Sequence, residues 1–245
     1  MKIVAIVQAR MGSTRLPGKV LKKVLGKPLL NYQLERVGRA NFIEQIIVAT
    51  TKRIDDDSIE SFCKVNEIQF YRGPEDDVLR RYVEAAEQFQ ADVIVRLTAD
   101  CPLIDPSIID LIIQQFIEFN SNNPLLFVSN TLERTYPRGI DVEVFSYKAL
   151  KEADEKARSA SEREHVTKFI VNHPQLYKLV NVRHHEDLSH HRWTVDTPED
   201  FMFVKKVLET LYPQKHHFSM EDVIELLNNH PTWQKINAHI QQKDE

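Results

Sequence analysis

The sequence has few cysteines and no long hydrophobic run, and both features exclude classes of protein. Its two cysteines, Cys63 and Cys101, lie in segments of different character, so they offer neither a disulfide framework nor a zinc cluster. No stretch of about 18 apolar residues occurs, and the chain begins with a strand-like apolar segment rather than a signal-peptide pattern. We therefore expect a cytoplasmic protein in a reducing compartment, with no membrane partner.

The sequence also lacks an excess of positive charge. It has 32 Lys and Arg residues against 36 Asp and Glu residues, which gives a formal net charge of -4. No overall positive field is available to hold nucleic acid or an anionic membrane surface, so we expect no nucleic-acid partner. Basic residues that contribute to function must then be concentrated locally.

The hydrophobic pattern predicts an α/β fold. A hydrophobic content of 42% in 245 residues can form one substantial core, and we expect a single domain over residues 1–245. Short apolar runs alternate with segments of helical period, which indicates a mostly parallel sheet covered on both faces. Strands are predicted at residues 3–8, 45–50, 69–71, 92–98, 125–130, 140–145, 176–182 and 192–195. Helices are predicted at residues 29–39, 56–65, 76–89, 106–119, 147–156 and 161–172.

The pattern changes in the second half of the chain. A loop cluster at residues 121–124 is followed by two closely spaced strands, which favours an antiparallel edge of the sheet. Asp105 before Pro106 predicts the start of one helix. Thr197 before Pro198, followed by two acids, predicts the start of another. The polar residues 241–245 are expected to form a frayed tail.

A cationic loop after the first strand is the most informative segment. It reads Gln-Ala-Arg-Met-Gly-Ser-Thr-Arg-Leu-Pro-Gly-Lys over residues 8–19. Arg10, Arg15 and Lys19 can supply charge-assisted hydrogen bonds to a polyphosphate, while the glycines let backbone N–H groups approach it. The spacing is neither that of the P-loop nor that of the dinucleotide fingerprint. From the residues alone, a solvated basic turn remains an alternative, because charge runs usually lie on the surface.

Several strings together resemble a known family. The loop contains Ala-Arg-x-x-Ser-x-Arg-Leu-Pro-Gly-Lys at residues 9–19, which is similar to the signature of the synthetases that activate 3-deoxy-manno-octulosonate and acylneuraminate. The whole set resembles the spore-coat polysaccharide biosynthesis branch of that cytidylyltransferase superfamily, in order over nearly the whole chain. Its strings are Gln-Ala-Arg-Met-Gly-Ser (8–13), Asp-Val-Leu-Arg-Arg-Tyr (77–82), Cys-Pro-Leu-Ile-Asp-Pro (101–106), Arg-Gly-Ile-Asp-Val-Glu-Val-Phe (138–145), Arg-Glu-His-Val-Thr (163–167) and Val-Asp-Thr-Pro-Glu-Asp (195–200).

The resemblance implies a Rossmann-like three-layer α/β/α nucleotidyltransferase fold with a mostly parallel mixed sheet. It further implies CTP as substrate, Mg²⁺ as cofactor and a homodimer, with the nucleotide over the carboxyl ends of the strands. Asp100 and Asp196 match the family's metal-binding aspartates. One departure is Ala99, where related proteins usually have glycine. The residues expected to bind the nucleotide are Ala9, Arg10, Gly12, Ser13, Arg15 and Lys19.

The chemistry of the two aspartates agrees with that assignment. Asp100 and Asp196 each follow a predicted strand, and their hard oxygen ligands suit Mg²⁺, which would also keep water and phosphate oxygens. We expect both carboxylates to face one crevice. Taken singly, each aspartate could equally belong to a turn or a helix cap.

Acceptor-site candidates come from two further segments. Asp141 and Glu143 alternate along a predicted strand and should share a face, although a solvated sheet face is the alternative. Arg163 and His165 lie two apart on a predicted helix, on different faces. For Arg80 and Arg81, an exposed helix with balanced charges is a competing interpretation. The three adjacent histidine pairs do not have zinc-ligand spacing, and no cysteine accompanies them.

Together with the resemblance, which alone implies CTP, these elements predict a metal-dependent cytidylyltransferase. An acceptor oxygen would attack the α-phosphorus of CTP and pyrophosphate would leave, while Mg²⁺ on the two aspartates and the loop cations stabilise the charge. The acceptor is expected to be an acidic sugar or a related phosphorylated metabolite. The alternatives are a nucleotide-sugar-dependent glycosyltransferase and a nucleotide-binding protein without turnover. Three loop cations favour a triphosphate over a diphosphate donor, and a protein without turnover would not need two metal aspartates.

Overall fold

A computed structural model of the chain describes residues 1–120 and 123–242. The first two residues of the predicted loop cluster and the last three of the predicted tail lie outside these ranges. No helix in the described ranges has the length and apolar character needed to span a membrane. The strands are β1 (Ile3–Gln8), β2 (Lys23–Val24), β3 (Lys27–Pro28), β4 (Gln45–Thr51), β5 (Gln69–Gly73), β6 (Val93–Thr98), β7 (Leu126–Ser129), β8 (Glu143–Ser146) and β9 (Lys178–Asn181). The α-helices are α1 (Leu29–Val37), α2 (Asp57–Val65), α3 (Val78–Gln88), α4 (Pro106–Asn120), α5 (Tyr147–Lys156), α6 (Ala160–Glu164), α7 (Lys168–Asn172), α8 (Pro198–Leu211) and α9 (Met220–Asn229).

The main sheet is mixed and mostly parallel, as predicted. Within the described residues its strand order is β5-β4-β1-β6-β8-β7-β9. Strand β8 runs antiparallel to both β6 and β7, while β9 is parallel to β7. The predicted antiparallel edge is therefore wrong, because the antiparallel strand lies inside the sheet. Its residues fit that position: Val144 and Phe145 are both buried, and they pack into the cores on opposite faces.

Helices cover both faces of the sheet, so the fold has the three α/β/α layers expected. Successive residues of β1 alternate between the two cores, with Ala5 on one face and Ile6 on the other. Helices α1, α2, α4, α8 and α9 contribute to the first core, and α3, α5 and α7 to the second. The predicted N-caps are confirmed. The Asp105 side chain accepts a hydrogen bond from the Ser107 backbone N–H, and Thr197 forms a capping box with Asp200.

The predicted strand at residues 192–195 is wrong. Only an isolated bridge between Arg192 and Arg138 is present there. The extended segment instead donates from Trp193 N to the Arg138 carbonyl and from Val195 N to the Asp100 carbonyl, at 2.7 and 2.8 Å. Its apolar residues, Trp193 and Val195, are fully buried. The segment therefore has the composition of a buried strand, although it does not pair with one.

Two further elements differ from the predictions by more than two residues. The strand predicted at residues 140–145 starts only at Glu143, because the Asn130 side chain bonds the Ile140 carbonyl and the Val142 N–H in place of a neighbouring strand. The helix predicted at residues 161–172 is divided into α6 and α7. His165 ends α6 with non-helical backbone angles, φ -100° and ψ 51°.

Candidate active site

The cationic loop leaves the carboxyl end of β1 and folds back on itself. Ser13 N and Gly18 N both donate to the Met11 carbonyl, at 2.9 and 3.0 Å. Gly18 has φ +67°, a left-handed conformation that a residue with a side chain adopts only at a cost. This turn directs the next residue, Lys19, towards the carboxyl ends of the strands.

Lys19 brings together the two aspartates that are 96 residues apart in the sequence. Its Nζ donates to Asp100 Oδ2 and to Asp196 Oδ1, at 2.8 Å each. Because both oxygens lie at that distance from one nitrogen, about 5.6 Å is the upper limit on their separation. Asp100 follows β6 and Asp196 precedes α8, so the predicted convergence at one edge of the sheet is present in the structure.

Charge pairing shifts the pKa values of Lys19 and Asp100. Burial lowers the pKa of the Lys19 ammonium, but the Asp100 and Asp196 carboxylates more than offset it, so the pKa lies above its ordinary value. Burial raises the pKa of the Asp100 carboxyl, and the Lys19 charge and hydrogen bonds bring it below its ordinary value. Both groups are therefore ionised at neutral pH.

A second set of contacts holds the other oxygen of Asp196. Arg15 Nη2 lies 3.1 Å and Arg192 Nη2 lies 2.7 Å from Asp196 Oδ2. Arg192 also pairs with the fully buried Asp200, which accepts hydrogen bonds from the backbone N–H groups of Asp196 and Thr197. These bonds fix both the main chain and the side chain of Asp196, and they leave Oδ1 directed towards Asp100.

These residues surround a pocket of about 310 Å³, which is within the range of small-ligand sites. The sequence-predicted residues that line it are Ala9, Arg10, Gly12, Ser13, Arg15, Lys19, Asp100, Asp196 and His165. Ala99 also lines it and is 3% exposed, so its methyl group is accommodated in the packing.

Three acceptor-site candidates lie outside the pocket lining. Arg163 is bound to Asp77 and Asp154, so it joins α6 to α3 and α5. Glu143 pairs with Arg96 at 2.6 Å and accepts a hydrogen bond from the Thr167 hydroxyl. Their charges are neutralised by protein groups.

Asp141, the third acceptor-site candidate, forms a bidentate salt bridge with Arg134. It lies in the loop before β8, so the prediction that Asp141 and Glu143 share one strand is wrong. The charge of Asp141 nevertheless acts on Cys101, the neighbour of Asp100. Burial raises the pKa of the Cys101 thiol well above its ordinary value, and the charges of Asp100 and Asp141 add to that rise.

Two arginines of the pocket were not predicted from the sequence. Arg81 is almost fully buried, and its Nη1 donates to the Pro74 carbonyl at 2.8 Å. Burial lowers the pKa of this guanidinium. The signal was available, because Arg81 lies three residues after Val78 and four before Ala85 on the buried face of α3, whereas Arg80 is only partly buried. The second is Arg96, which β6 carries into the pocket beside Gln8.

The aspartate pair fits a hard divalent ion. Within residues 1–120 and 123–242, no group of three or more His, Cys, Asp or Glu side chains is arranged to hold a metal. Asp100 and Asp196 supply two carboxylates that already share one cation, and Mg²⁺ commonly takes one or two protein carboxylates with water and phosphate oxygens completing its shell.

Fold and pocket together define a class. A central parallel strand leads into a cationic loop, and two aspartates face that loop at the carboxyl edge of the sheet, which is the arrangement of a nucleotidyltransferase. A family model described as cytidylyltransferase matches residues 4–235. The chain belongs to the cytidylyltransferase family, and it is a nucleotidyltransferase enzyme.

Relatives of similar length match nearly the whole chain. The chain is 34% identical to the spore coat polysaccharide biosynthesis protein SpsF of Bacillus subtilis, over 94% of this chain and 95% of that protein. It is 36% identical to an uncharacterized protein of Methanocaldococcus jannaschii, over 99% of this chain and 97% of that one. A solved cytidylyltransferase structure from Leptospira borgpetersenii superposes with a TM-score of 0.90 at 34% identity, covering 100% of both chains.

Proposed function

We propose that the protein transfers CMP from CTP to an acidic sugar or a related small metabolite and releases pyrophosphate, with the help of a divalent metal ion. The observation that carries this proposal is the meeting of Lys19, Asp100 and Asp196 in a pocket lined by the cationic loop. A partial relative supports the acceptor class: the 3-deoxy-manno-octulosonate cytidylyltransferase of Geobacter metallireducens is 36% identical over 45% of this chain and 42% of that protein.

The loop cations bind and orient the triphosphate. Arg10, Arg15 and Lys19 line one wall of the pocket, where charge-assisted hydrogen bonds to phosphate oxygens are short and strong. Pyrophosphate gains negative charge as it leaves, and the same cations, once they are bound to the triphosphate, stabilise that charge. No covalent enzyme intermediate is needed, because an acceptor oxygen attacks the α-phosphorus directly.

Asp100 and Asp196 would hold the divalent ion through the two oxygens that face each other. When bound, the ion supplies Lewis-acid activation of the α-phosphate and orientation of the acceptor oxygen. Arg192 and Asp200 keep the Asp196 carboxylate in that orientation. Such positioning of the reacting groups accounts for a large part of the rate enhancement in reactions of this kind.

The acceptor side of the site is proposed to include His165, which lines the pocket where α6 ends. Asp141, Glu143 and Arg163 would act around it: Asp141 through its charge near Cys101, and the other two by fixing the segments that carry the pocket wall. The proposal extends to a homodimer in the cytoplasm. Sedimentation equilibrium of the purified chain tests the dimer.

A pyrophosphate-release assay tests the reaction. The protein is incubated with each ribonucleoside triphosphate, Mg²⁺ and a panel of 2-keto-3-deoxy acids and sugar phosphates. We expect release with CTP and part of the panel, abolished by EDTA. Asp100→Asn and Asp196→Asn should each lower turnover by orders of magnitude, and together by less than the product of the two losses because one ion is shared. Asp187→Asn, an exposed aspartate outside the pocket lining, is the control.

Two outcomes would replace the proposal. Transfer of a sugar from a nucleotide sugar, without pyrophosphate release from any triphosphate, would make the protein a glycosyltransferase. Tight CTP binding without turnover over the whole panel would indicate a protein that binds nucleotide without catalysis.

A further inference from the structure

The cation position of the aspartate pair is already filled by a group of the protein itself. Lys19 Nζ lies 2.8 Å from both Asp100 Oδ2 and Asp196 Oδ1, and only 12% of its side chain is exposed. The other oxygen of Asp196 is engaged by Arg15 and Arg192. The two oxygens that face each other are therefore the two that the ammonium binds.

We infer that Lys19 is a resident cation that excludes a divalent ion from Asp100 and Asp196 until a triphosphate takes its ammonium. This inference rests on the proposed function and adds an order of binding to it. The Lys19 ammonium and a divalent ion would both bind Asp100 Oδ2 and Asp196 Oδ1. Because both are positively charged, they would also repel each other if they shared these two oxygens. Metal and ammonium therefore bind the aspartate pair alternatively, and the nucleotide favours the metal by binding the ammonium.

The three cations around Asp196 differ in their freedom to move. Arg192 is held by the buried Asp200 and cannot leave without breaking that pair. Lys19 has no such second anchor among its hydrogen bonds: both of its acceptors are the site aspartates. Its flexible four-carbon stem already lines the pocket, so a rotation within the pocket transfers the ammonium from carboxylates to phosphates.

The Lys19 ammonium stabilises the aspartate pair in the ligand-free protein. Two carboxylates no more than about 5.6 Å apart, without a cation between them, repel each other. The ammonium offsets that repulsion and holds both carboxylates directed at one point. The site is therefore preorganised for a cation, at the cost of weak metal binding before nucleotide arrives.

Mn²⁺ binding to the nucleotide-free protein tests the inference, measured from the free-ion signal by electron paramagnetic resonance. Lys19→Met keeps the stem length and removes the charge. We expect it to bind Mn²⁺ about tenfold more tightly than wild type, the effect of removing charged hydrogen bonds that compete for the same oxygens. Arg10→Met removes the same charge from the same pocket without touching either aspartate, and should give a smaller gain. A folded Lys19→Met protein that gains no more than Arg10→Met would overturn the inference.

Metal-free CTP binding provides a second test that does not depend on the lysine variant. Titration calorimetry in EDTA should show that Asp100→Asn binds CTP about fivefold to tenfold more tightly than wild type, because Lys19 loses one of its two partners. Glu164→Gln is the matched control, since this acid lines the pocket without contacting Lys19. An equal gain in both variants would refute the exchange.

These measurements separate the inference from the proposed reaction. Mn²⁺ and CTP binding are read without turnover, so failure of the exchange leaves the pyrophosphate-release assay unaffected. Conversely, a protein that shows the exchange and transfers no CMP would refute the proposed function alone.

Discussion

The buried pair of Arg192 and Asp200 offers a sharp test of how the site is supported. Arg192→Met keeps most of the side-chain volume and removes a guanidinium whose side chain is 6% exposed. Asp200, which is fully buried, loses two hydrogen bonds of 2.9 and 3.1 Å. Its remaining N–H donors come from Asp196, Thr197 and Asn237.

The magnitude follows from those remaining donors. Breaking a buried ion pair by removing one partner costs about 3–5 kcal/mol, because the other charge is left uncompensated. Since Asp200 keeps several donors, we expect the lower limit, about 3 kcal/mol. For a chain of this size that corresponds to a fall in Tm of roughly 6–12 °C. Differential scanning calorimetry measures it directly.

A matched arginine gives the control. Arg183 pairs with Glu133 on the surface, where the side chains are 64% and 70% exposed. Arg183→Met should change the stability by about 0.5 kcal/mol or less. Adding Asp200→Asn to Arg192→Met should restore part of the loss, because the buried charge is then absent. Equal losses for Arg192→Met and Arg183→Met would refute the reasoning.

Three other changes have definite expected results. Gly139→Ala should lower Tm strongly, because φ is +101° and the new Cβ would lie 2.7 Å from Thr194 N; Gly12→Ala, with no atom within 4 Å, should be near neutral. Burial, aided by the charge of His190, lowers the pKa of His191 to about 4, so unfolding titrations should show stability falling from pH 6.5 towards pH 4, less steeply in His191→Gln. Arg15→Ala and Lys19→Ala should raise the KM for CTP about tenfold in the pyrophosphate-release assay.

Features set by local sequence were predictable. The β1 strand was predicted with its observed bounds, because a run of five apolar residues before a glycine-containing loop is a local signal. The start of α8 was also predicted, since a threonine cap followed by proline and two acids satisfies the first turn from neighbouring residues alone. Such features need no knowledge of what lies across the molecule.

Errors arose where a distant group replaces the usual partner. Trp193 and Val195 resemble strand residues because they are buried, but their backbone N–H groups bond the loops that carry Arg138 and Asp100, and no neighbouring strand extends the segment. Likewise, Asn130 takes up the backbone groups of Ile140 and Val142, so β8 starts later than its composition suggests. Composition records burial, and it does not record which group accepts the hydrogen bonds.

The site itself was predictable as a set of residues and not as an arrangement. Sequence similarity treats Arg10, Arg15 and Lys19 as three equal cations, but the structure makes them different. Arg15 and Lys19 are bound to aspartates, whereas Arg10 is exposed and has no ion-pair or hydrogen-bond partner among the described residues. A triphosphate entering the pocket can therefore bind Arg10 without breaking any pair, and only later contacts displace carboxylates. Arg10 should accordingly govern the rate of CTP association, and its loss should be felt most at low ionic strength, where a free charge acts over the longest distance.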